Sequence, residues 1–276
     1  ALAMTTALPA AHVLSESRQA RMTEELVHAL RHIPREQLNS WGRDSAVLFG
    51  KVTWRRAKNF GRLVGRICKG TASEVADGYN AHRSGGLADH AKSRVSAARE
   101  SISSAGTAIA TSAKTIQQAL QSNPRDNAPA LVVSTLAFLV ASGGLDGDGG
   151  VPDLDLIAGI DTHRSIFTHS IISGAAIETF LLSSASFVSI AHSFLPERHD
   201  PIWDSIAKHK DRYVLATSQG ASLGIAYHLF VDSTVDIGAY HDLPVSLPIG
   251  GHEAIAGANA AAEAIDVKHK DPKRHG

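Results

Sequence analysis

The chain has 276 residues, of which 43% are hydrophobic and 5% aromatic, and its 27 basic residues balance its 27 acidic ones. This length suits one large domain or two modest ones, with a core built from aliphatic side chains. The zero formal charge gives no argument for a nucleic-acid or membrane partner, and the single cysteine, Cys68, excludes an intramolecular disulfide and a cysteine-rich zinc site.

Two amphipathic helices are predicted at the start of the chain. Residues 15–32 begin with serine and acidic residues and end with basic ones, which is typical of a capped helix. Pro34 ends this helix and can open the next at Arg35. The helical spacing of apolar residues then continues over residues 37–69.

The second of these helices carries a row of basic residues: Arg55, Arg56, Lys58, Arg62, Arg66 and Lys69. One interpretation is a surface that binds an anion such as nucleic acid or lipid headgroups. The other is the solvated face of an amphipathic helix, which we favour because acidic residues elsewhere balance the charge.

A low-complexity helix and a linker are predicted next. Residues 87–122 are rich in Ala, Ser and Thr, and the thin apolar seam Val95–Ile102–Ile109–Ile116 has heptad spacing. We expect this seam to pack against a neighbouring helix or a second copy of the chain. The linker Asn123–Asn127 then divides a helical N-terminal region, residues 1–124, from a second domain, residues 125–276.

The second domain is also predicted to be helical, so the fold class is all-α. Its elements are an apolar helix over residues 128–142, a helix over 164–195, two helices over 202–216 and 218–233, an extended stretch over 243–249 and a last helix over 252–265. The apolar segments are interpreted as buried core helices, with membrane contact left open for residues 171–195. The opening ALAM indicates an expression-vector remnant, and without a recognisable leader after it we expect a cytoplasmic protein, with membrane association left open.

One short span concentrates the residues that carry chemistry. Between Gly144 and Ser170 lie Asp146, Asp148, Asp153, Asp155, Asp161, His163 and His169, and His228 and Asp232 follow downstream. Imidazole nitrogens and carboxylate oxygens are the usual ligands of divalent metals, so the sequence predicts a metal site, with zinc or manganese as the expected ion.

Spacing limits how these ligands can meet. His163 and His169 are six apart, about 600° of rotation on one helix, so His163 must lie in the loop or at a helix start if both bind one ion. His228 and Asp232 are four apart and share a helix face. If the segment around Leu154 is extended, Asp153 and Asp155 point to opposite sides, so that one can ligate while the other orients a histidine.

We assign Asp155, His163, His169, His228 and Asp232 to the metal. The catalytic roles fall to Asp153, or Asp148, as general base and to Arg164, which can hold a substrate phosphate or developing negative charge. Arg164 can equally cap or salt-bridge the loop.

Most of the fifteen histidines have simpler explanations. His12, His28, His32, His82, His90, His269 and His275 are expected at the surface, whereas His192, His199, His209, His241 and His252 are unassigned. The DGDGG segment is typical of turns and lacks the ligand pattern of an EF-hand.

The strings PDLD, HRSIFTHS and YHLFVDSTVDIG resemble the motifs of the YdjM-type (LexA-regulated, membrane-bound) metal-dependent hydrolases over roughly residues 128–250. The resemblance implies an α-helical fold and a hydrolytic metal centre. It places Asp153, Asp155, His163, His169, His228 and Asp232 at motif positions.

The chain departs from that pattern in several places. Ser165 stands where the family has glycine, and Tyr227 replaces a small residue. No histidine occurs in residues 128–142, so His241 or His252 are alternative ligands. Family members are also more hydrophobic, with several spanning helices.

Two functions are therefore expected. The first is a metal-dependent hydrolase of a phosphoester such as a phospholipid or a nucleotide, with an amide or another ester left open as the substrate. The second is a helical scaffold protein with a structural metal site and an N-terminal region facing a membrane or nucleic acid. Candidate partners are a small-molecule or lipid substrate, a membrane surface and a second copy of the chain through the N-terminal helices.

Overall fold

The computed structural model describes most of the chain as helix. The described residues are 16–94, 96, 114, 117–118, 120–145, 149–158, 164–235, 239–243 and 246–267. Within these ranges every regular element is helical and none is a strand, so the predicted all-α class is confirmed.

Six α-helices and one 3₁₀-helix have defined bounds. They are α1 (Glu16–His32), α2 (Arg35–Arg83), α3 (Pro124–Ser142), the 3₁₀-helix Pro152–Ala158, α4 (Ile171–Ser193), α5 (Ile202–Thr234) and α6 (Ile249–Asp266). Residues 87–94 are helical as well. The first two helices meet at Pro34, as its missing amide donor and restricted preceding residue predict.

Several predicted boundaries are wrong. Helix α3 begins at Pro124, so most of the supposed linker is helical, with proline in the first turn where its missing donor costs nothing. Helix α4 begins at Ile171, and the residues from Arg164 to Ser170 form turns. The PDLD stretch is a 3₁₀-helix, not an extended segment.

Helix α5 is continuous where two helices were predicted. The two predicted helices were divided near Thr217, and Gly220 and Gly224 lie just beyond that position in α5. The structure shows their purpose: a Cβ at Gly220 would collide with the backbone of Ser134, and one at Gly224 would lie 2.5 Å from the carbonyl oxygen of Phe138. Glycine allows α5 to approach α3 closely, and this packing overrides its low helix propensity.

The chain forms two compact units, each drawn from both sides of the predicted domain boundary. Unit 1 comprises Ala1–Leu48 and Thr179–Val214, and unit 2 comprises Phe49–Glu178 and Leu215–Gly276. The boundary near Asn123 stays a prediction about independent folding. The predicted Val95–Ile116 seam lies outside the described residues.

Unit 2 has a core of small and aliphatic side chains. Ala141 from α3, Ile225 and Leu229 from α5 and Ala260 from α6 pack together, and Ile225 and Leu229 are fully buried. Because alanine and glycine allow helices to approach closely, this core can be densely packed without large aromatic side chains.

Unit 1 is held by side chains that span long sequence separations. The Trp41 indole donates to the carbonyl oxygen of Ser183 at 2.9 Å. Buried Glu25 accepts hydrogen bonds from the Asp200 amide and, at 2.8 Å, from the Trp203 indole. These contacts join α1 and the start of α2 to the end of α4 and the start of α5.

One described helix, α4, is long and apolar enough to cross a bilayer by its length and composition. Core helices of soluble proteins meet the same criteria. Glu178 lies within α4 and is buried in ion pairs with Arg55 and Arg56. Such pairing is typical of a helix packed inside a protein.

Candidate metal centre

Three segments of unit 2 bring the predicted ligands together. The 3₁₀-helix carries Asp153, the turn before α4 carries His169, and α5 carries His228 and Asp232 one turn apart. We call these four residues the histidine–aspartate centre. All four are buried or nearly so, with each histidine side chain 1% exposed.

Asp153 and Asp232 each place one carboxylate oxygen close to both histidine Nε2 atoms. Asp153 Oδ1 lies 3.4 Å from His169 Nε2 and 3.5 Å from His228 Nε2. Asp232 Oδ2 lies 3.5 Å and 3.3 Å from the same two nitrogens. In a tetrahedral site with bonds of about 2.0–2.1 Å, neighbouring donor atoms are about 3.3–3.4 Å apart. Asp153, His169 and His228 offer ligand atoms that all lie within 4.8 Å of one another, so these three residues could hold one divalent ion, with Asp232 Oδ2 close to both histidines.

The electrostatics of the centre also favour a cation. His228 Nε2 and Asp232 Oδ2 are buried and make no hydrogen bond within the described part of the chain. Burial lowers the pKa of His228, but Asp153 and Asp232 outweigh it and raise that pKa to about 10. Likewise, burial raises the pKa of Asp153, yet the two histidines hold it well below its usual range. Positive charge at this point is therefore stabilised.

The opposite ring nitrogens are oriented by other groups. His169 Nδ1 lies 3.1 Å from the Thr168 hydroxyl oxygen and 3.4 Å from Asp155 Oδ2, and that Asp155 oxygen accepts hydrogen bonds from the Thr168 hydroxyl at 2.7 Å and the Ser165 amide at 2.9 Å. His228 Nδ1 lies 3.4 Å from the carbonyl oxygen of Ser142. With Nδ1 donating in this way, each ring presents Nε2 to the centre, which is the usual support of a ligand histidine.

Arg164 lies beside the centre in a rare backbone conformation. Its φ is +65°, and it is the one non-glycine residue with positive φ among the described residues. Its guanidinium is buried, with Nη2 3.4 Å from Asp232 Oδ1. Side chains in the left-handed region carry strain of about 1 kcal/mol or more, and such strain is concentrated at functional sites.

The structure places Asp153 and Asp155 differently from the positions that their predicted roles require. Asp153, expected to be the general base, faces both Nε2 atoms, and its low pKa makes it a poor proton acceptor but a good ligand. Asp155, expected to bind the metal, lies with Oδ2 3.4 Å from His169 Nδ1, and its assignment as a ligand stays a prediction. The 3₁₀-helix explains their divergence, since residues two apart on it differ by about 240°. His163 and Asp148 lie outside the described residues.

The alternative ligands lie elsewhere. His252 Nδ1 accepts a hydrogen bond from the Tyr240 amide at 3.0 Å, and His241 is exposed. Tyr240 was missed from the sequence. Its buried hydroxyl donates to the carbonyl oxygen of His169 at 2.9 Å, which supports the turn that carries the ligand.

Unit 2 also contains a buried ion cluster that the sequence did not reveal. We call it the arginine cluster, and its members are Arg55, Arg56, Glu178, Glu263 and Asp266. Arg56 is 2% exposed and pairs with all three carboxylates. The expectation that these arginines belong to a solvated or anion-binding face is therefore wrong for Arg56. Their partners lie on α4 and α6, far away in sequence.

Comparison with known proteins adds no relative: no family model, curated protein or solved structure matches this chain.

Proposed function

We propose that this protein is a metal-dependent hydrolase of phosphoesters. The observation that carries the proposal is the donor set itself: Asp153, His169 and His228, whose ligand atoms lie within 4.8 Å of one another, with Asp232 beside both histidines. Structural zinc sites are mostly built with cysteine, whereas sets of histidine and carboxylate are typical of hydrolytic sites. Cys68, the single cysteine, is exposed and is not a member of this buried donor set.

In this proposal the chain's residues have distinct tasks. Asp153, His169 and His228 would hold the ion and leave a position open for water, and Asp155 would keep the His169 ring in place through Thr168. When bound, a divalent ion such as zinc or manganese supplies Lewis acidity to the scissile group and to the attacking water. Arg164 would bind a phosphate oxygen and stabilise the negative charge that develops there.

Exposed apolar side chains favour a phospholipid over a nucleotide. Leu154 lies between the two aspartates of the 3₁₀-helix, Phe167 between Arg164 and His169, and Phe230 between His228 and Asp232. They are 54%, 65% and 57% exposed. Exposed apolar side chains on the segments that carry a polar site are suited to the edge of a lipid layer. The resemblance to membrane-bound hydrolases agrees with this substrate class.

The test is to measure metal content and hydrolysis on the same protein. Purified protein should contain a divalent metal by elemental analysis, and it should hydrolyse phospholipid vesicles faster than soluble nucleotides. His228→Ala should lose the metal and the activity, because it removes a ligand. His209→Ala, a change to a histidine on the same helix, should keep both. Bound metal with no hydrolysis of any phosphoester would favour the scaffold function instead.

A further inference from the structure

A second cluster of ligand-type residues lies in unit 1. It consists of His192 in the last turn of α4, His199 in the loop that follows and Asp204 in the first turn of α5. One ligand atom from each lies within 4.8 Å of the other two. His192 and Asp204 are twelve positions apart in sequence, so the short connection between the two helices brings the three residues together.

The distances in this cluster suit a metal with more than four ligands. Asp204 Oδ1 lies 2.9 Å from His192 Nε2 and 3.1 Å from His199 Nε2. Adjacent donors of an octahedral site with bonds of about 2.1 Å are about 3.0 Å apart. The distance from the carboxylate oxygen to each Nε2 atom is therefore close to that between adjacent ligands of an octahedral site.

The chain also prepares His199 to act as a ligand. Its Nδ1 lies 2.8 Å from the carbonyl oxygen of Pro196, an oxygen that can only accept a hydrogen bond, so Nδ1 carries the proton. Nε2 makes the hydrogen bond to Asp204 Oδ1, and once an ion replaces the proton in that bond the Nε2 lone pair points at the cluster. A backbone carbonyl that fixes the tautomer in this way is a common support of metal-binding histidines.

Nearby arginines do not compete for Asp204. Arg18 and Arg21 both bind Asp200, each with a guanidinium nitrogen 2.7 Å from a carboxylate oxygen. The positive side chains from α1 are thus directed to Asp200, four residues earlier, while Asp204 faces the two imidazoles.

The exposure of the cluster defines the kind of ion. Asp204 is 63% exposed, and His192 and His199 are 32% and 18% exposed. Water can therefore complete the coordination, and the ion can exchange with solvent. Two imidazoles and one carboxylate select zinc, nickel, cobalt or copper over magnesium and calcium, which prefer oxygen ligands alone.

We propose that His192, His199 and Asp204 form a second, solvent-accessible site for a divalent transition metal. The ion would tie the end of α4 to the start of α5 across the loop between them. This site is independent of the proposed hydrolase function, because it shares no residue with the histidine–aspartate centre.

The experiment counts cobalt equivalents on the full-length protein after chelation. Cobalt(II) is titrated while its visible absorption and the bound metal are followed. The unaltered protein should bind two equivalents, and His228→Ala should lose only the one at the histidine–aspartate centre. His199→Ala and Asp204→Asn should each weaken the other equivalent at least about 10-fold.

The matched control is His209→Ala, which removes a histidine of α5 in the same unit. It should leave both equivalents in place. Asp204→Asn keeps the size of the side chain, and unchanged circular dichroism would show that the variant is folded. Unaltered cobalt binding in both His199→Ala and Asp204→Asn would overturn the proposal and leave the cluster as an ordinary histidine–aspartate hydrogen-bond pair. A single equivalent in the unaltered protein that survives in His199→Ala would overturn it too.

Discussion

Unit 2 buries carboxylates in two places and neutralises them in different ways. In the arginine cluster, two guanidiniums from α2 face three carboxylates from α4 and α6. In the histidine–aspartate centre, the groups that face the carboxylates are mainly imidazoles. Both sites meet the need that a buried carboxylate has a positive partner, since an unpaired buried charge is very costly.

The difference lies in whether the positive partner can be exchanged. Arginine does not lose its proton in proteins, so the arginine cluster is a permanent connection between three helices. Imidazole can lose its proton and then offers a lone pair, so the histidine–aspartate centre can accept a metal ion in place of protons. One cluster therefore suits structure, and the other suits an exchangeable ligand.

The largest expected effect comes from removing a permanent partner. Arg56→Met should lower the free energy of unfolding by about 3–5 kcal/mol, because it leaves buried carboxylates without their main counter-charge. Urea denaturation checks this. Arg62→Met, an exposed position on the same helix, is the control and should change stability by less than about 0.5 kcal/mol. Equal stabilities for the two variants would show that the cluster has no structural role.

The second effect should appear in turnover and not in metal binding. Arg164→Ala should lower kcat on phospholipid about 10²–10³-fold, the usual cost of losing one group that stabilises transition-state charge. Metal content should stay at one equivalent at the histidine–aspartate centre. Arg198→Ala changes an exposed arginine and should have normal turnover. If Arg164→Ala hydrolyses at the normal rate, Arg164 serves only as the ion-pair partner of Asp232.

Local sequence signals predicted the helices and much of the centre. Pro34 marked the division between α1 and α2, and the four-residue spacing of His228 and Asp232 predicted that both point the same way, which their 3.3 Å separation agrees with. These features depend on neighbours within about one helical turn, so periodicity and turn chemistry are sufficient to find them.

Features that depend on distant partners could not be predicted. The helical pattern of α2 does not distinguish buried Arg56 from exposed Arg62, because the partners of Arg56 are 122 and 207 residues away. Helix α5 was predicted as two helices divided near Thr217, and the role of its glycines could not be seen from the sequence either. Gly220 weakens a helix locally, and only the close approach of α3 explains why it is there.

A smaller effect should come from the group that orients a ligand. Asp155→Asn keeps the shape of the side chain but weakens its hold on His169 Nδ1, so metal affinity should fall about 10–100-fold. The measurement is a competition titration with a chelator. Asp242→Asn is the matched control, since Asp242 holds the same loop through Ser165 and Ile166. An affinity loss of the same size in both variants would mean that the loop, not the ring orientation, controls binding.

The smallest effect separates the backbone of Arg164 from its charge. Both Arg164→Ala and Arg164→Gly remove the guanidinium that faces Asp232, but only glycine accepts a φ of +65° without steric cost. Glycine also makes the unfolded chain more flexible, which offsets part of the gain. We therefore expect Arg164→Gly to be more stable than Arg164→Ala by up to about 1 kcal/mol, with equally low turnover. Chemical denaturation of the two variants measures the difference. A more stable Arg164→Ala would mean that contacts of the arginine side chain produce the positive φ. The fold would then impose no strain on the backbone at this position.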